Sequence, residues 1–226
     1  MTGLSKGLAG AAGAASGTGA LAFGIYKLSP SKELKTISSL LDSKKRKLIK
    51  SQNGSEEAWK TAWQEYRKNF NNSNTNPFSL TLAKGTSSVA SENATQEFME
   101  ACEAQGTKKV KDTESKDYQL FLKYCTRDTL MSDLVLENSK RKALVKKDSE
   151  SEDANWKAAW AEYKKENTNT ANQMDHWKLT DWSTKNSGDK APVSFMDRCD
   201  KELKRAYHDT EGDDYKKVIS WCTESS

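Results

Sequence analysis

Trp59-Lys60-Thr61-Ala62-Trp63-Gln64-Glu65-Tyr66 occurs a second time as Trp156-Lys157-Ala158-Ala159-Trp160-Ala161-Glu162-Tyr163, 97 residues downstream. The same offset carries Phe98, Met99 and Cys102 onto Phe195, Met196 and Cys199. It carries Asp112-Thr113-Glu114, Asp117 and Tyr118 onto Asp209-Thr210-Glu211, Asp214 and Tyr215, and Tyr124-Cys125-Thr126 onto Trp221-Cys222-Thr223. Self-similarity at one fixed period marks an internal duplication. Upstream of the Trp motif, Leu34, Leu40, Ser43, Lys44, Leu48 and Lys50 align with Leu130, Leu136, Ser139, Lys140, Leu144 and Lys146 at an offset of 96, so the intervening turn differs by one residue. The chain of 226 residues divides into an N-terminal segment (1–30), a first repeat (31–126) and a second repeat (127–226).

Trp59, Trp63 and Tyr66 fall at i, i+4 and i+7, one face of a helix. An exposed aromatic strip for a sugar, lipid or protein is one reading. A core stripe is the other, favoured by this spacing and by its recurrence. Trp59, Trp63, Tyr66, Phe98 and Tyr118 are the expected core of the first repeat, and Trp156, Trp160, Tyr163, Phe195 and Tyr215 that of the second. Leu34, Ile37, Leu40, Leu41 and Leu48 follow Ser29-Pro30-Ser31 at near-helical spacing. Further helices are expected at about 56–69, 92–110 and from Asp112-Thr113 to Cys125, and in the second repeat near 128–147, 152–166, 192–207 and 211–222. The Asn/Ser/Thr-rich stretch 71–91 reads as a long loop, as does 167–190, which carries Trp177 and Trp182 of its own. No stretch alternates with period two. The expected fold is all-α: an N-terminal hydrophobic helix followed by two tandem small helical bundles.

Residues 7–26 carry no charge and are bounded by Lys6 and Lys27. About 20 apolar residues at about 1.5 Å each span a hydrocarbon core of about 30 Å. An uncleaved signal anchor is the leading reading, a signal peptide cleaved at Ala20-Leu21-Ala22 the second, and a Gly/Ala leader on a soluble protein the third. Lys27, Lys32, Lys35 and the run Lys44-Lys45-Arg46-Lys47 favour repeats on the cytoplasmic side. The signal-like shape and the cysteines favour the outside, and a cell-membrane location with extracellular repeats is the expectation.

Cys102 and Cys125 are 23 residues apart, as are Cys199 and Cys222. In an antiparallel hairpin turning at Asp209-Thr210, Cys199 lies opposite a position near 220, within reach of Cys222. A disulfide in each repeat is one reading, and buried free thiols are the other. Four cysteines without a Cys-x-x-Cys pair make a poor metal site.

The carboxylates at Asp112, Glu114 and Asp117 suit a helix N-terminus better than a calcium loop, whose central glycine is missing. The basic run and its echo Lys140-Arg141-Lys142 read as a solvated face. A net charge of +4, spread as +2, +4 and −2 over the three segments, argues against nucleic acid as partner. His176 and His208 lie outside the repeated motifs, and no hydrolase, zincin or phosphate-loop motif is present. No catalytic residue, metal, cofactor or small-molecule substrate is singled out.

The Gly/Ala-rich segment Met1 to Tyr26, the Trp59-Trp63-Tyr66 helix, Phe98-Met99 with Cys102, and the closing Tyr124-Cys125-Thr126 together resemble the large paralogous families of uncharacterised membrane or surface proteins in haemotropic mycoplasmas. The resemblance covers the whole chain and brings no catalytic residues with it. It implies a membrane-anchored, surface-exposed protein, with roles in host contact or antigenic variation. The expected function is an interaction or antigen module with a host or self protein partner. A cytoplasm-facing tethered scaffold is the alternative, and a carboxylate enzyme a third.

Overall fold

The computed structural model describes residues 33–84 and 89–224. The proposed membrane segment 7–26 and the cleavage site at Ala22 lie outside them. The described residues from 34 onward belong to one compact unit. Among the described residues no helix is long and apolar enough to cross a membrane.

This unit is mostly helical. Strand β1 (Lys35–Thr36), a 3-10 turn (Ile37–Leu40) and strand β2 (Arg46–Leu48) precede α1 (Glu57–Phe70), α2 (Gln96–Thr107), β3 (Lys109–Val110), α3 (Lys116–Tyr124) and β4 (Thr126–Asp128). Then follow α4 (Met131–Leu134) with a π turn (Val135–Ser139), α5 (Ala154–Glu166), the short α6 (Trp182–Lys185), α7 (Val193–Leu203) and α8 (Asp213–Cys222).

The helix starts have local causes. Thr95 Oγ1 accepts from the Phe98 amide at 3.3 Å and Ser115 Oγ from the Tyr118 amide at 3.2 Å. Asp153 accepts from the Asn155 and Trp156 amides. Each supplies an acceptor for an amide that has no partner within its helix. The acidic motifs act one turn earlier than expected: Asp112 accepts from the Glu114 amide and Asp209 from those of Glu211 and Gly212, and α3 begins only at Lys116. Gly54 meets α2's approach: its carbonyl accepts from the Ala94 amide at 3.0 Å, and a Cβ at Gly54 would collide with the Ala94 carbonyl.

Two expectations need correction. The apolar spacing of 34–48 does not make a helix. β1 pairs antiparallel with β3, and β2 with β4, so four short strands join an otherwise helical fold. In this stretch Ile37 is buried while Leu34 is half exposed. Hydrogen bonds to the ends of α2 and α3 replace the intrahelical ones, and the strands are too short to show a period. The helix expected near 128–147 is confined to 131–139, because Lys140 adopts a left-handed backbone with φ 56° and the chain continues extended.

The core has two aromatic clusters, one around Tyr66 and Phe98, the other around Tyr163 and Phe195. Tyr66 stacks on Phe78 at 4.9 Å, and Tyr163 packs on Trp177 at 5.1 Å. The segment 126–131 ties the two clusters' surroundings together. β4 pairs with β2, the Thr129 amide donates to Lys45 O, and the Tyr207 amide donates to Thr129 O. Leu130 then bridges to Ala206.

Candidate functional site

The ten aromatic residues expected in the two cores, from Trp59 to Tyr215, are all buried. They make no exposed strip. Their polar atoms are tied inward: Trp59 Nε1 donates to Ser51 O at 2.8 Å and Trp156 Nε1 to Val145 O at 3.0 Å. Both cysteine pairs lie at disulfide distance, Cys102–Cys125 with Cα atoms 5.3 Å apart and Cys199–Cys222 with Cα atoms 5.4 Å apart. Each pair joins the middle of one helix to the end of the next.

The backbone beside each disulfide corrects the upstream alignment. The Ile49 amide donates to Cys125 O and the Leu144 amide to Cys222 O. Ile49, not Leu48, therefore corresponds to Leu144, and Arg46 corresponds to Arg141 rather than Lys142. Arg46 joins the end of the first half to its start: it donates to Thr126 Oγ1 at 3.0 Å, to Leu122 O at 3.2 Å and to Thr126 O at 2.9 Å, and pairs with Asp128. This part of the basic run is therefore no solvated face. Sequence reading missed it because the guanidinium's partners lie about 80 positions away.

A groove of about 430 Å³ opens over the first disulfide. Its floor is Trp59, Phe121 and the Cys102–Cys125 bridge. One wall is the face of α2 bearing Met99, Glu100 and Glu103, and the other is the extended run from Leu48 to Gln52. A groove of this size with apolar floor and polar rim has the usual character of a ligand site. Gly106 lets the Phe121 ring pack close against α2: a Cβ there would stand 3.1 Å from the ring. Lys50 is the one cation among the lining residues.

The second half differs at the corresponding positions. Leu203 occupies the position 97 residues after Gly106, and Val218 that after Phe121. Met196 is fully buried where Met99 is half-buried. Lys146, from the extended run, meets Asp197 of α7 at 2.5 Å across the opening.

The second half has a polar pocket of about 260 Å³ elsewhere, between α7 and α8. Arg198 and Arg205 both pair with the buried Glu202, at 2.6 and 2.8 Å, and Arg205 also reaches Asp214 at 2.9 Å. Arg198 lies over the Trp177 ring at 5.8 Å. Burial, helped by the nearby Lys217 charge, holds His176 below the usual imidazole value. The arginines here are occupied by carboxylates, which makes the cluster a brace between two helices. Among the described residues no group of His, Cys, Asp or Glu is placed to hold a metal.

A buried polar contact was also illegible in the sequence. Tyr66 Oη donates to Asn76 Oδ1 at 2.6 Å and accepts from the Phe78 amide, while Tyr163 Oη donates to Asp175 and accepts from the Trp177 amide. Asn76-x-Phe78-x-Leu80 thus matches Asp175-x-Trp177-x-Leu179 at an offset of 99, and Trp177 has Phe78 as its counterpart. Only the conserved last leucine and the asparagine–aspartate similarity hint at this in the sequence.

No protein-family model, no curated protein and no solved structure matches this chain.

Proposed function

We propose that the chain is a cell-surface interaction or antigen module: an N-terminal membrane anchor at residues 7–26 carrying two tandem helical repeats, 31–126 and 127–226, on the outer side. The observation that carries this reading is the pair of buried cysteine bridges, one in each half. Disulfides persist on the oxidising side of a membrane and are rare in the cytosol. The matched tyrosine, tryptophan and cysteine-carbonyl hydrogen bonds support duplication of one unit. The resemblance to surface families of haemotropic mycoplasmas agrees with it.

The test is thiol labelling of denatured protein with and without reductant, paired with protease treatment of intact cells. Cys102–Cys125 and Cys199–Cys222 are expected as linked peptides, with the repeats digested from outside. Four free thiols and protected repeats would instead establish a cytoplasm-facing scaffold.

A further inference from the structure

The geometry points to a specific occupant for the first-half groove: a partner peptide that inserts one large apolar side chain flanked by lysine or arginine. This rests on the interaction-module reading above and names the partner chemistry.

Three observations carry it. First, the groove lies over a Gly106–Phe121 pair, where the second half has Leu203 and Val218. The lining of this groove is therefore particular to the first half. Second, the charges are arranged for an outside cation. Glu97, Glu100 and Glu103 stand at i, i+3 and i+6 on the exposed side of α2; among the described residues none of them forms an ion pair, and Glu100 accepts one hydrogen bond from Gln96 Nε2 at 2.9 Å. Their second-half counterparts are Ser194, Asp197 and Asp200, and both aspartates are already paired, with Lys146 and Lys204. Third, the groove's own cation, Lys50, leaves the rim with a net negative charge against Glu100 and Glu103. A partner with an apolar anchor and adjacent positive charge would cover the half-buried Met99 and Leu48 while neutralising that rim.

The experiment uses the purified, oxidised full-length protein. Its probes are two fluorescein-labelled octapeptides with a central Phe, one flanked by lysines and the other by glutamates, read by anisotropy at low and high salt. The lysine peptide is expected to bind at least about tenfold more tightly, with the preference falling as salt rises. Two variants follow. Gly106→Leu with Phe121→Val copies the second half and is expected to abolish binding. Glu100→Lys with Glu103→Lys lies on the exposed face and is expected to weaken the lysine peptide about tenfold without touching the core. Equal binding of both peptides, or binding unchanged in either variant, would overturn the proposal. So would self-association of the protein lost in the groove variants, which would make the occupant a second copy. Protease access on intact cells is independent of all these outcomes, so the surface reading can fail or stand separately.

Discussion

The Tyr163 hydroxyl donates a 2.5 Å hydrogen bond to the carboxylate of Asp175, which is buried and also accepts from the Leu179 amide. Burial, reinforced by this carboxylate, pushes the Tyr163 phenol well above the usual tyrosine value. The first half makes the same contact with the neutral Asn76. Asp175→Asn is therefore expected to keep the fold, changing stability by less than about 1 kcal/mol, whereas Asp175→Ala strands a hydroxyl and an amide and costs about 2–3 kcal/mol. Urea unfolding of the two variants checks this, and an alanine variant as stable as the asparagine one would refute it.

Gly106 and Phe121 are expected to be coupled. Gly106→Leu alone overpacks against the Phe121 ring and costs about 1–3 kcal/mol. Adding Phe121→Val, the second-half combination, is expected to recover most of that loss, a non-additivity visible in a double-mutant cycle.

Each cysteine bridge closes a separation of 23 residues. Replacing Cys199 and Cys222 by alanine is expected to cost about 3 kcal/mol in the chain-entropy account. The Cys102 and Cys125 pair is expected to cost a similar amount. Thermal unfolding of oxidised, reduced and doubly substituted protein would show it, and equal midpoints would count against structural disulfides.

The alkaline limb is set partly by Tyr66. Burial raises its phenol from 10.0 to about 12, so the folded state favours the protonated form. That contribution is fully present below about pH 10 and is lost as pH rises through about 12. Stability is expected to fall across that window, together with phenolate absorbance, and Tyr66→Phe is expected to flatten the fall.

Arg46 makes a planar set of bonds to Thr126 and Leu122 that a lysine cannot reproduce. Arg46→Lys is expected to cost about 1–2 kcal/mol and to increase amide exchange at Leu48 and Thr126, where β2 meets β4. Unchanged exchange there would show that the β2–β4 ladder holds without the guanidinium.

The sequence alone determined the helices with a strong apolar stripe. Trp59, Trp63 and Tyr66 can share a face only at helical pitch, and the 97-residue offset carried the same statement to Trp156, Trp160 and Tyr163. It also made a bridge within each repeat feasible at the shared spacing of 23, while leaving free thiols open. Local spacing holds this information because a helix face is built from neighbours. The run 34–48 misled for the same reason: its apolar spacing fits a helix, yet its amides and carbonyls are taken by residues far along the chain, at Lys108, Cys125 and Thr129. The groove was equally hidden. It is bounded by one face of α2 and the extended run from Leu48 to Gln52 above a ring on α3, and only the tertiary structure brings those side chains together.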